Sequence, residues 1–340
     1  MRLKPALESV ARLVLVLGGS LTLLISGNAC AQAPNVSAPS ATPPPESILF
    51  WAYPWDTTFN PPPADDVLQR LPGSAAAYSS VQSRNLFLAP DWHPDDHPPM
   101  PEIVALGRKP DVRACGSCHR ADGAGGPENA SLAGLPAAYM VQQIADFKNG
   151  TRKFSGPPRT AVTLMVAVAK AMTEAESQTA ADYFSALTLK KNIKVIESDS
   201  VPETYVARLF FAKQPAGGTE PLGPRIIEVP DDVVQFELRD TRSQFTAYVP
   251  VGSIKRGKAL AAVANGAVQP CATCHGEDLR GVADIPRIAG RSPSYLARQL
   301  YDFQHGARTS DLSALMKPMV EGLSQDDIVS LAAYVASLDP

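Results

Sequence analysis

The segment Cys115-Gly116-Ser117-Cys118-His119 returns 156 residues later as Cys271-Ala272-Thr273-Cys274-His275, so each copy gathers two thiols and an imidazole within five residues. Thiols at this spacing can add to the two vinyl groups of one porphyrin, and the adjacent imidazole is then held beneath the iron; this is the pattern of a covalently attached haem c. The constraint on folding is severe, because a domain that carries so large an apolar group must be built around it. A structural zinc site or a thioredoxin-like redox pair also uses Cys-x-x-Cys, but the His directly after both pairs argues against each. Cys115, Cys118, Cys271 and Cys274 are therefore the candidate attachment points and His119 and His275 the candidate iron ligands, implying two covalently attached haem c groups.

Only one of the five cysteines lies outside these motifs, Cys30, so no disulfide network is expected. Residues 1–33 place Arg2, Lys4 and Arg12 against Glu8, then an apolar run from Leu13 to Ile25, then Ala31-Gln32-Ala33, which reads as a cleaved secretory signal. The apolar run is shorter than the roughly 20 residues that span a bilayer, and Cys30 lacks the Leu-led segment of a lipid-attachment site. The expected location is periplasmic, where haem c attachment takes place in bacteria. Net charge is −3, and no basic footprint for nucleic acid is present. Residues 34–46, rich in Ala, Pro and Ser, read as a disordered leader.

The repeat extends far beyond the two motifs. At the same offset Asp122 matches Asp278, Gly125 matches Gly281, and Leu132-Ala133-Gly134 matches Ile288-Ala289-Gly290. Tyr139, Gln143, Phe147, Gly150 and Arg152 likewise match Tyr295, Gln299, Phe303, Gly306 and Arg308. Gaps of four set Tyr, Gln and Phe on one helical face, with Gly closing the helix. With the offset reduced to 151, Met165, Tyr183 and Leu187 fall on Met316, Tyr334 and Leu338. Each repeat should end in a helix opened by a capping box, Thr173 to Glu176 and Ser324 to Asp327. Helical patterns around 102–109 and 253–266 precede the motifs, with Gly107 and Gly257 as candidates for close contact with the terminal helix.

The sixth iron ligand decides between an electron carrier and a substrate-binding centre. Met165 and Met316 lie 46 and 41 residues after His119 and His275, at equivalent places, and are the candidates. Met172 and Met319 are their rivals, while ordinary apolar packing is the alternative for any Met. Met100 and Met140 have no matching partner.

The order C-x-x-C-H, L-A-G, Y-x3-Q-x3-F-x2-G-x-R, Met and a capped terminal helix resembles class I cytochrome c domains, and the tandem resembles the di-haem cytochrome c4 group. The resemblance covers about 102–190 and 253–340. It implies a mainly α fold of two class I cytochrome c domains, proximal ligands His119 and His275, and distal ligands Met165 and Met316. It also places Pro286 where the family has a proline whose carbonyl takes the proximal histidine's ring N–H. The matching residue in repeat one is Ala130, so a different surrounding for the first haem is expected. The added Gly156-Pro157-Pro158 before Met165 is a second departure.

The expected organisation is then an N-terminal extension (47–101), domain 1 (102–190), a partly β interdomain strap (191–252) and domain 2 (253–340). Within the strap, 225–229, 233–238 and 245–249 have strand-like composition. Trp51, Tyr53, Trp55 and Trp92 in the irregular extension are expected to pack against the chain's own domains rather than dock a partner. His93 and His97 lie among prolines and aspartates and read as a surface loop, as does His305. Arg108, Lys109 and Arg113 either steer an acidic redox partner or form a solvated helix end. The expected function is single-electron transfer between a donor, such as a periplasmic dehydrogenase, and a terminal oxidase or reductase, with membrane association only through a partner and no catalytic residue of its own. The alternatives are a di-haem enzyme of peroxidase or thiosulfate-oxidising type, or a cytochrome subunit of a dehydrogenase complex.

Overall fold

Each Cys-x-x-Cys-His segment forms one short helix at the edge of an apolar cluster, and the remaining helices of its repeat close around it. The computed structural model describes residues 49–156, 159–266 and 268–340. The secretory signal, the leader, Cys30, Pro157 and Pro158 lie outside the described residues. In the first repeat the helices are α1 (Glu102–Ala105), α2 (Cys115–His119), α3 (Ala137–Asn149), α4 (Thr160–Ala171) and α5 (Glu174–Ser185). Val104, Leu135, Met140, Met172, Phe184 and Leu187 form its core.

The strap follows, with β1 (Ile193–Glu197), β2 (Ser200–Pro202), β3 (Thr204–Ala207), β4 (Phe210–Lys213), β5 (Thr219–Pro221), β6 (Ile227–Pro230), α6 (Val233–Glu237) and β7 (Phe245–Val249). Strand β7 pairs in parallel with β1 and antiparallel with β6, while β2 with β5 and β3 with β4 make two small antiparallel pairs. The second repeat contains α7 (Ser253–Ala261), α8 (Cys271–His275), α9 (Pro293–Gln304), α10 (Asp311–Ala314), α11 (Lys317–Val320) and α12 (Gln325–Ser337). The architecture is thus mainly helical, with two cytochrome c-like domains and a small β-containing region between them.

Local chemistry explains the boundaries. Thr173 with Glu176 and Ser324 with Asp327 form complete capping boxes at α5 and α12, satisfying amide donors that a helix start otherwise leaves unpaired. Gly257 on α7 meets α12 directly: a Cβ there would run into the Ser330 carbonyl and the Tyr334 side chain. Gly107 differs from the expectation, since it turns the chain at φ 67° and a Cβ would strike the backbone of residues 112–114 rather than the terminal helix. The first predicted helix correspondingly shortens to the single turn of α1.

Two other readings change. Residues 233–238 have strand-like composition yet form α6, because the Asp232 carboxylate accepts the amides of Val234 and Gln235, at 2.8 and 3.0 Å, and nucleates a helix. The His93 and His97 segment is no surface loop. His93 is buried against Asp240, Nε2 to Oδ1 3.1 Å, and His97 bridges Asp91 and the Tyr183 hydroxyl at 3.2 and 3.1 Å. Trp92 is fully buried and donates its indole N–H to the Leu238 carbonyl, 2.7 Å, so the extension is fastened to the strap. Tyr53 packs edge-on to Tyr301 of α9, whereas Trp55 remains 37% exposed. His305 is exposed, stacked on Tyr301. Arg108 is not free to steer a partner: its guanidinium pairs with Glu176, 2.6 Å, and holds Glu176 down to about 2.

Candidate haem sites

The two histidines are prepared identically. His119 Nδ1 lies 2.8 Å from the Ala130 carbonyl and His275 Nδ1 lies 2.8 Å from the Pro286 carbonyl. The expected difference between the repeats at this contact is absent, because the acceptor belongs to the backbone and any residue can supply it. Donating Nδ1–H fixes the tautomer that leaves Nε2 as a lone pair for a metal. Burial lowers both pKa values below the ordinary histidine range, so the neutral ring is favoured.

The thiols suit the same role. Cys115 packs against the first core and Cys271 against the second, and all four cysteines of the two motifs are free. Burial pushes the Cys115 thiol up to about 12 and raises Cys271 as well. Neutral thiols against apolar surface fit addition to a porphyrin edge; a zinc centre would need thiolates. Among the described residues no group of three or more His, Cys, Asp or Glu side chains is placed to hold a metal ion on its own. The donor set therefore fits haem c at each site.

Met165 lies within α4, partly buried, and a cleft lined by Phe147, Phe154 and Val166 opens between α3 and α4. Met316 immediately precedes α11 and packs against the second core. Its rival Met319 accepts the Gln269 amide on its sulfur, 3.3 Å, which occupies it structurally. Met172 is buried in the first core, as is Met140.

The repeated Tyr, Gln, Phe and Arg do more than line a helix face. Arg152 donates to Gln143 in its own domain, 2.8 Å, and to Tyr295 and Gln299 in the other, both 3.0 Å. Arg308 mirrors it, donating to Gln299 at 3.1 Å and across to Gln143 and Tyr139 at 2.6 and 3.5 Å. Each guanidinium also lies over the Phe of its own repeat, 4.5 Å from Phe147 and 4.1 Å from Phe303. The exchange continues outward: the Ser155 amide donates to Asp302, 2.8 Å, and the Ser310 hydroxyl to the matching Asp146, 2.7 Å. Sequence reasoning located these residues but missed the junction, whose only signal was that so many polar residues were retained in register.

The surroundings of the two sites differ on the proximal side. Arg120, directly after His119, is buried with its guanidinium 4.7 Å from the centre of the Phe236 ring, and neither terminal nitrogen has a hydrogen-bond partner. Burial, with help from nearby Arg239, lowers it to about 9, which leaves it charged at neutral pH.

Comparison with known proteins agrees with this construction. The cytochrome c family model matches residues 104–188 and 254–339. Cytochrome c-554(548) of Halomonas halodenitrificans is 40% identical over 78 residues, covering 23% of this chain and 94% of that protein. Cytochrome c4 of Azotobacter vinelandii is 25% identical over 228 residues, 66% of this chain and 84% of its own length. The thiosulfate dehydrogenase electron acceptor of Stutzerimonas stutzeri is 27% identical over 238 residues, 68% and 82% of the two chains. Two family domains, each with its cysteine pair and carbonyl-anchored histidine, make this a di-haem electron carrier: the chain belongs to the cytochrome c family.

Proposed function

We propose that this protein is the electron-accepting cytochrome of a periplasmic dehydrogenase, held to it as a partner subunit, and that it passes single electrons on toward a terminal oxidase or reductase. The observation that carries the reading is the junction of two equivalent sites through exchanged arginines, which gives one body two one-electron centres. The similarity to a thiosulfate dehydrogenase electron acceptor over 68% of this chain supports a dehydrogenase as donor, and the extension and strap supply surface that a minimal tandem carrier lacks. Among the described residues no helix is long and apolar enough to cross a membrane.

Cys115 and Cys118 would fasten one haem and Cys271 and Cys274 the other, with His119 and Met165, and His275 and Met316, as axial ligands. Bound haem supplies reversible one-electron chemistry at iron, and His/Met ligation holds its potential high. The protein's part is to fix each imidazole through a backbone carbonyl, to keep water from the apolar sides and to bring the two domains together.

A potentiometric titration of the holoprotein, followed through the near-infrared methionine-to-iron band with haem content measured on the same sample, tests the ligands. Two covalent haems are expected, and Met165→Ala and Met316→Ala should each abolish half of that band and lower one potential. An unchanged band in either variant would reject that methionine. Co-purification of a dehydrogenase with the tagged full chain, and its reduction of the cytochrome on addition of its substrate, tests the donor.

A further inference from the structure

Arg120 combines two costs that the second repeat avoids. Its backbone stands at φ 71°, ψ 160°, a region essentially restricted to glycine and strained for other residues. The matching residue in the second repeat is Gly276, at φ 82°, ψ 161°. A glycine would therefore serve the turn better, and the side chain that replaces it is a buried cation with both terminal nitrogens unpartnered. Burying a charge without hydrogen bonds is itself unfavourable.

The loops that follow the two histidines also differ in cover. Residues 120–130 lie under the strap and under domain 2: Phe236 stacks on Arg120, and Arg298 donates to the Pro127 carbonyl at 2.5 Å. Residues 277, 278 and 280 and the run 282–285 are exposed. Charge follows the same division. The first loop has Arg120 with Asp122 and Glu128, and the strap adds Arg239, 3.5 Å from Glu128. The second has Glu277, Asp278, Arg280 and Asp284, with glycine in place of Arg120. The first loop is thus both drier and more positive.

The geometry points to Arg120 as a positioning residue for charge: buried beneath the strap, it raises the reduction potential of the first haem above that of the second, so that an electron delivered to the exposed second site comes to rest in the first domain. Reduction removes one positive charge from the iron centre, so a buried cation and the loss of solvent both favour the reduced form. This rests on the assignment of His119 and His275 as proximal ligands.

The test is a redox titration of the holoprotein by paramagnetic NMR, in which the methyls of each haem are followed separately and the first haem is recognised by contacts to Phe184, which lies edge-on to His119 with centroids 6.4 Å apart. The first haem should be the last to oxidise. Arg120→Gly, which copies the second repeat and relieves the backbone, should move the one-electron distribution toward the second haem about tenfold, about 59 mV for a one-electron couple. Arg120→Lys should keep most of the native order. A native first haem that titrates below the second overturns the inference, as does an Arg120→Gly distribution within twofold of native. Absence of one covalent haem would instead overturn the ligand assignment itself, and this inference with it.

Discussion

A carbonyl accepts a hydrogen bond whichever side chain its residue bears, and this makes Ala130 equivalent to Pro286. The difference in residue type was legible in the sequence, but its lack of consequence was not, because the contact runs through the backbone. The cysteines and histidines of both motifs could be named from spacing alone, whereas the exceptional setting of Arg120 depends on Phe236 and Arg239, more than a hundred residues away. Asp122 is a further case. Burial raises it from 3.8 to about 6, so the folded chain binds more protons than the unfolded one between those values, and ionisation above pH 6 opposes folding. Asp122→Asn keeps an oxygen to accept the Ala124 amide, now 3.0 Å from Oδ1. It should be neutral in effect below about pH 4 and stabilise the holoprotein by about 3 kcal/mol well above pH 6, at 1.36 kcal/mol per pKa unit; denaturant melts across pH 4 to 8 would show whether the gain grows with pH. In the chain before haem is attached the lowered histidines act oppositely, since protonating a buried imidazole as pH falls opposes folding.

Helices announced by capping boxes were the most readable elements, since the Thr173 and Ser324 signals are local and the structure uses both as they stand. Composition misled at α6, where Val233, Val234 and Phe236 suit a strand but the Asp232 cap decides for a helix. Asp232→Ala should cost about 1 kcal/mol and speed amide exchange across 233–237 while leaving α5 and α12 unchanged. Strands β1 to β5 were not recognised, because they are short and take their partners from distant parts of the strap. Gly257 was correctly matched to the terminal helix and Gly107 was not: Gly257 lies on α7, a helix that packs across α12, whereas Gly107 lies beyond the single turn of α1 and serves a tight turn. Gly257→Val would force α7 and α12 apart, and a loss of about 3 kcal/mol is expected from overpacking, measurable as a lower melting temperature with haem content unchanged.

At the scale of the whole molecule the repeat foretold two like domains but not how they meet. The junction is built from Arg152 and Arg308, each donating once within its own domain and twice to the other. Arg308→Ala would leave the buried Gln143 and half-buried Gln299 oxygens each short of a donor, and a cost of about 2–4 kcal/mol follows from breaking a buried charged network. Combining it with Gln299→Ala should cost less than the sum of the two single changes, a double-mutant cycle that measures the coupling directly. The extension adds a second fastening through Trp92, expected to pack against the chain's own domains, and through His93 on Asp240, where the surrounding prolines and aspartates had suggested a surface loop. The reciprocal arginines carry a historical implication as well. A contact in which residue i of one copy meets residue j of the other, and j meets i, is the self-complementary interface of a two-fold homodimer. A tandem chain that keeps it carries the contacts of such a dimer within one polypeptide, so neither half can part from the other by dilution.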